Sequence, residues 1–563
     1  MMRLLLIPGV LVVLTAASLF WSGVTGTATR ADFTFVNRGD NKCLDPNGMS
    51  WMQDIRLSGA LWEGLFVVDP ATNKTELGCA DRAELDEKTH TVWTIHIRKD
   101  ARWSNGDPVT AGDFLFAWRR FLETPGEYSS LHHLIRGAEA YENAIAEYSK
   151  ARHAGDSSAK WPSFAGVGEV ALDDHTLRVT LVDPTPFFPD LLAFAPFFPM
   201  HQASMKAFEQ VDPATGIVSY DQAFTRPPNL VSNGAYRLAE WSFKRRLRLV
   251  KSDYYWDRVH VKSATIDQVY GEDPLAAYRL YDNGLTDWLS DVDFDLAANM
   301  LARGGRDDLH VFPAFGTYYY CLNCSAKLPG GRANPLLDVR VRQALAMSID
   351  KAAIVKEVGR LNQPVASEFV PPNVLPGYVS PKGLAYDPEA ARKLFAAAGY
   401  AGGAGFPRIS ILFNSEGNHG DIAQMVRHQW QTELGITVDL ESVEVKVFGA
   451  RLHTQDYDIA RSSWYGDYDD PTTFTDLFIT GASDNNAKYS NPKYDALCAA
   501  ARKEPDAKKR LAILAQAEQL LLQDAPIIPL YHPVNAYLYR SNVRGIPMSP
   551  RAMIDFKSVE VVR

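Results

Sequence analysis

Five cysteines in 563 residues, Cys43, Cys79, Cys321, Cys324 and Cys498, leave at least one unpaired by their odd number. They also build no zinc site, because the Cys321 to Cys324 spacing has neither a second such pair nor a close histidine pair to complete four ligands. That pair follows Tyr318-Tyr319-Tyr320 in what reads as a strand, whereas a redox pair is expected to open a helix. His132-His133 stands alone in a helical region and reads as a surface feature rather than a metal site. The common nucleotide, zinc-hydrolase, serine-hydrolase and calcium-loop motifs are absent. Basic charge is also lacking: the formal net charge of -9 excludes nucleic acid, whose phosphates are bound through basic surfaces. Beyond the amino terminus no stretch approaches the ~20 apolar residues of a membrane span. No internal repeat and no low-complexity linker interrupts the chain.

The chain is too long for one core, since single cores stop growing at about 250 to 300 residues. Its 46% hydrophobic and 22% charged residues are ordinary for globular material. Residues 4–21 are nearly all apolar, follow Arg3 and precede small polar residues up to Ala31. This reads as an export signal, cleaved after Ala28 or Ala31 or retained as an anchor, so residues 1–31 are set apart and the body is expected outside the cytoplasm.

Two styles of patterning follow. Residues 91–97 and 177–181 alternate at period two, as strands do. Between them Ser104-Asn105-Gly106-Asp107-Pro108 makes a turn, and Thr110 to Asp113 caps a helix with Phe114, Ala117, Trp118 and Phe121 on one face. The later half is regularly α/β. The spacing predicts helices over 387–398, 419–434 and 508–522, and strands over 409–413, 436–443, 456–460 and 527–531. Ligands of open α/β sheets bind at the carboxyl ends of strands. The strand at 456–460 runs into Arg461-Ser462-Ser463-Trp464-Tyr465-Gly466-Asp467-Tyr468-Asp469-Asp470-Pro471, so Asp467 is placed in a binding loop among aromatics. A carboxylate beside indole and phenol faces can replace the water shell of an ammonium group, and a free peptide amino terminus fits that demand. An acidic turn capping a strand remains the alternative.

Residues 58–65, the run from Trp93 through Trp103-Ser104-Asn105-Gly106-Asp107-Pro108 to Thr110, and Val231-Ser232-Asn233-Gly234-Ala235-Tyr236 carry a further signal. With residues 317–320, 338–345 and 387–399, in this order, they resemble the extracytoplasmic oligopeptide-binding proteins of ABC importers, family 5 of the solute-binding proteins. The resemblance implies an α/β, two-lobed periplasmic binding protein type II fold with an additional small α+β domain and a hinge of two crossing segments. Lobe one would comprise 32–62, 200–315 and 533–563, the small domain 63–199 and lobe two 316–532. It implies a monomer that captures short peptides, hands them to an ABC permease complex in the inner membrane, needs no cofactor and is not an enzyme. A binder of another solute (a murein peptide, a nickel chelate, an oligosaccharide) and an exported hydrolase are the rival readings.

By the same resemblance Asp467 binds the peptide's α-ammonium, Trp464 lines a pocket, and Ser463 and Tyr465 pair with the peptide backbone as with an added strand. Met52, Tyr128 and Tyr319 match further lining positions, and Arg461 and His419 match positions that meet the peptide carboxylate. Arg461 could instead pair with Asp456 or Asp458, and His419 could simply lie on the surface. Departures stand at Gly359, where relatives place a lysine, at Val445 for an aromatic and at Ser50 for a glutamate. Gly316 and Tyr465 occupy positions of a cysteine bridge found in relatives, and Cys43 with Cys79 is the substitute pairing expected.

Overall fold

A computed structural model describes residues 29–37 and 39–563. The expected export segment therefore lies almost wholly outside the described residues. Among those described, no helix is long and apolar enough to cross a membrane.

Three sheets organise the chain. A seven-stranded sheet has the order Tyr236–Ser242, Arg246–Lys251, Thr265–Val269, Phe33–Val36, Trp288–Leu289, Val534–Tyr539, Leu309–Pro313. A five-stranded sheet has the order Val438–Val443, Ile409–Asn414, Ile459–Tyr465, Gly316–Leu322, Ile527–Tyr531. A four-stranded antiparallel sheet of Ala80–Leu85, Val92–Ile97, Thr176–Thr180 and Glu169–Asp173 belongs to a smaller α+β unit. The chain crosses from the seven-stranded to the five-stranded sheet between Pro313 and Gly316, and returns between Tyr531 and Val534.

The local code is plain in the helices. Thr110 and Asp113 form a reciprocal capping box on Ala111–Glu123, whose Phe114, Ala117, Trp118 and Phe121 are buried. His419–Leu434 buries Ile422, Ala423, Val426 and Trp430 at helical spacing and ends at Gly435, whose φ of 73° is the left-handed conformation glycine tolerates. Strand Ile409–Asn414 is buried along its whole length, as expected of a strand covered on both faces.

The hydrophobic cores show which parts are packed together. Phe33, Phe35 and Trp288 of the seven-stranded sheet share one continuous core with Ile95, Trp118, Leu177 and Phe188 of the small unit. The five-stranded sheet has separate cores on its two faces, one around Tyr318, Ile411 and Trp430 and one around Phe369, Phe474 and Leu521.

Several expectations need correction. The strand expected at 456–460 runs Ile459–Tyr465, because its antiparallel pairing with Gly316–Leu322 carries it through Trp464 and Tyr465. All five cysteines are free, so Cys43 and Cys79 do not pair. Their sulfurs have separate partners, Cys43 the Asp45 carbonyl at 3.5 Å and Cys79 the Glu63 carbonyl at 3.4 Å. His132 is fully buried rather than superficial: its ring stacks on Phe197 at 4.1 Å and Nε2 lies 3.1 Å from the Pro196 carbonyl.

Candidate functional site

A cavity of about 1990 Å³ lies between the two large sheets and is walled by all three bodies, through Met52, Tyr128, Arg461, Asp467, Asn535 and Arg551 among others. Strand Ile459–Tyr465 forms part of one wall. Its parallel pairing with Ile409–Asn414 covers only Ile459 and Ala460. Beyond Ala460 its other edge still pairs with Gly316–Leu322, but this edge is open toward the cavity over residues 461–465. An open edge is a template for one more strand.

Immediately after the strand, Gly466 turns the chain. Its N–H donates to the Phe315 carbonyl at 2.8 Å, and a Cβ there would meet the Phe315 ring at 2.1 Å, so only glycine fits. Asp467 follows. Its N–H donates to Thr473 Oγ1 at 3.1 Å and Tyr128 Oη lies 3.5 Å from its Oδ1. Its Oδ2 accepts no hydrogen bond from any described residue. Burial pushes the carboxyl up to about 6, against the opposing pull of Arg551 and of the Tyr128 hydroxyl, while Asp484 adds repulsion. Burial outweighs the Arg551 pull, and no described cation pairs directly with the carboxylate. Asp470 fixes the next turn, accepting the Thr472 N–H at 3.0 Å and two bonds from the buried Arg510 at 2.6 and 2.9 Å.

At the other end of the open edge stands Arg461. Its guanidinium donates Nε–H to Asn414 Oδ1 at 2.8 Å and lies 4.6 Å over the Phe448 ring. No described carboxylate is within ion-pair distance, since Asp456 is taken by Arg451 and Asp458 by Arg332. His419 sits beside it, with Nδ1 3.1 Å from the Tyr318 hydroxyl and its ring stacked on Tyr318 at 5.5 Å. Burial first and Arg461 second bring its pKa down to about 4, so the imidazole is neutral at neutral pH.

The cavity thus gathers Met52, Tyr128, His419, Arg461, Ser463, Trp464, Tyr465 and Asp467. Trp464 Nε1 is buried without a partner among the described residues, whereas Tyr465 is half exposed. Tyr319 is the exception. Successive side chains of a strand point to opposite faces, and Tyr319 points into the core with Phe369 and Phe478. Tyr318 takes the cavity face and stacks on Tyr531 at 4.8 Å. Sequence reasoning also missed Asn414, which orients Arg461, and Arg551, whose Nη2 donates to the Asp467 carbonyl at 2.5 Å. The alternating pattern could have shown that Tyr318 and Tyr319 differ in facing, but not which faces the cavity. Nothing local marks Arg551. Of the departures, Ser50 and Val445 line the cavity, while Gly359 is buried, its carbonyl accepting the Gln363 amide at 3.2 Å.

The model of the bacterial extracellular solute-binding proteins, family 5, matches residues 78–486. The chain is 31% identical over 559 residues to the periplasmic oligopeptide-binding protein of Escherichia coli, covering 96% of this chain and 95% of that one. Among solved structures it is similar to the Escherichia coli murein tripeptide binding protein, with a TM-score of 0.76, 27% identity and coverage of 95% and 99%. It is also similar to the Haemophilus influenzae oligopeptide-binding protein in complex with the peptide RPPGFSPFR, with a TM-score of 0.74, 28% identity and coverage of 95% and 99%.

Proposed function

Because the chain belongs to the bacterial extracellular solute-binding proteins of family 5, we propose that it captures short peptides between its lobes outside the cytoplasm and delivers them to an ABC permease. Its lobes are taken as 32–62, 200–315 and 533–563 for the first and 316–532 for the second, with a small domain at 63–199; the crossings between Pro313 and Gly316 and between Tyr531 and Val534 support the two boundaries of the second lobe. Asp467 receives the peptide ammonium, the open edge at 461–465 receives its backbone, and Arg461 with His419 receives its carboxylate. The observation that carries this is a buried carboxylate with an unbonded oxygen and no direct ion pair among the described residues, and a guanidinium with no described carboxylate within ion-pair distance, at the two ends of one open strand edge.

Length follows from the same edge. Asp467 lies six positions beyond Arg461, at most about 20 Å of extended chain, and the two side chains reach inward from those points. An extended peptide spans ~3.3 Å per residue, so three to five residues fit. Main-chain bonding gives affinity whatever the side chains, which suits an importer. The protein works on no bond of the ligand; its relatives are solute-binding proteins rather than enzymes.

The test is mass spectrometry of small molecules co-purified from the native host, joined to calorimetric titration of trialanine into the wild type and into Asp467→Asn. Peptides of three to five residues and a large loss of affinity in the variant are expected. A co-purified sugar or metal chelate, or an unchanged titration, refutes the reading. A murein peptide would keep the Asp467 contact and replace only the ligand's identity.

A further inference from the structure

Arg551 lies in the carboxyl-terminal tail, which is anchored on the seven-stranded side: Phe556 packs on Phe35 at 5.3 Å, and its carbonyl accepts the Tyr236 hydroxyl at 3.2 Å. The guanidinium is nonetheless spent on the other bodies. Nη1 donates to both oxygens of Asp190, each at 2.9 Å, and Asp190 stands on helix Phe188–Leu191 of the small unit. Nη2 donates to the Asp467 carbonyl at 2.5 Å, and Asp469 Oδ1 lies 3.7 Å from Nη1. Asp190 Oδ2 also accepts the Asp469 N–H at 2.9 Å, and the Asn73 amide donates to Asp469 Oδ2. Beside this cluster Phe187 of the small unit stacks on Tyr468 at 4.6 Å. The Arg551 and Asp190 side chains keep only 6% and 4% of their exposure.

We propose that Arg551 is a positioning residue that latches the lobes shut around the ligand, by tying Asp190 to the backbone of the Asp467 loop. This rests on the reading of Asp467 as the ammonium acceptor. The small unit and the seven-stranded sheet share one core, so Arg551 and Asp190 travel together when the lobes part. The loop at 467–469 continues strand Ile459–Tyr465 of the five-stranded side and leaves with it, withdrawing Tyr468 from the shared core that it enters against Phe187. Hydrogen bonds fail beyond ~3.5 Å, so a small rotation breaks the bonds from Arg551, Asp190 and Asn73 to that loop together. The guanidinium bonds the Asp467 carbonyl and leaves its Oδ2 to the ligand. It therefore supports the carboxylate's charge without occupying it. The other charged or titratable groups facing Asp467 are Tyr128 from the small unit and Tyr468 and Asp484 from its own lobe, while Asp190 and Asp469 act on Arg551. Arg551 is thus the cation that opposes burial of an ionised Asp467 when the lobes close.

The experiment titrates trialanine into the wild type, Arg551→Met, Arg551→Lys and Asp190→Asn across pH, with small-angle scattering of each with and without the peptide. Arg551→Met is expected to weaken binding about a hundredfold, as removal of one member of a buried ionic cluster does. It is also expected to raise the pH at which binding is lost on acidification, and to reduce the ligand-induced compaction, with Arg551→Lys recovering part of all three. A merely structural role would lower affinity without moving the acid midpoint, and that result overturns the proposal. So does wild-type behaviour of Arg551→Met while Asp467→Asn fails to bind. If Asp467→Asn itself binds trialanine normally, it is the underlying site reading that has failed. Where Arg551→Met does not fold, the nearly isosteric Asp190→Asn decides: a loss of compaction supports the latch, and unchanged compaction overturns it.

Discussion

Acidification is the sharpest probe of the site, because the groups that would meet titrate on opposite sides of neutrality. In the ligand-free protein burial holds the Asp467 carboxyl at about 6, and a peptide's α-amino group loses its proton at about 7.7 to 8.0. Affinity should therefore form a plateau between these values. Below about 6 it should fall by about tenfold, or about 1.4 kcal/mol, per pH unit, because the carboxyl must give up a proton before it can accept the ammonium. His419, at about 4, titrates too low to account for this limb. Stability follows with the opposite sign. The folded, ligand-free protein binds more protons than the unfolded chain between the ordinary carboxyl value of 3.8 and about 6. The Asp467 contribution to ligand-free stability thus falls as pH rises through that window, and saturating peptide should cancel the fall. Calorimetry with trialanine and with N-acetyl-trialanine from about pH 5 to about pH 9 reads both limbs. A flat profile for trialanine, or an acetylated peptide with the same affinity and profile, would refute the assignment.

Three further outcomes are expected. Arg461→Gln should cost trialanine about tenfold or more in affinity while leaving its carboxyl-terminal amide nearly unchanged, since the charge-assisted bond to a carboxylate is what the arginine adds; equal losses for both peptides would count against it. Arg510→Ala strands the buried Asp470 carboxylate and should destabilise the five-stranded lobe by about 3 to 5 kcal/mol in denaturant unfolding, with Asp470→Asn in the same chain restoring part. His132 is held down to about 3, chiefly by burial, against 6.5 when unfolded, so the unfolded chain binds more protons between those values and stability is lost as pH falls below 6.5. His132→Phe should lose about 1 kcal/mol at neutral pH, where the Pro196 carbonyl goes unpaired, and unfold at lower pH than the wild type.

What could be read beforehand was what is local. The capping box at Thr110 and Asp113 and the glycine stop at Gly435 are written in adjacent residues, and so the helices they bound stand where the pattern put them. Asp467 was legible because aromatics, a turn and a preceding strand surround it within a dozen positions. The choice between Tyr318 and Tyr319 was not, because both faces of Gly316–Leu322 are buried and no polar alternation tells one from the other. Arg551 meets partners 84 and 361 positions away, and no spacing rule reaches that far. The Cys43–Cys79 pairing, expected in place of the bridge missing at Gly316 and Tyr465, fails because each thiol is met by a different carbonyl oxygen.

The edge of Ile459–Tyr465 left bare beyond Ala460 has a bearing on solubility. Such an edge on an outer surface would invite the sheets of other molecules and seed aggregates. Recessed at the bottom of a crevice, it is sterically closed to anything as broad as a folded sheet and remains open to a single thread of chain. The same burial that protects the protein from its own copies also filters what it can pick up.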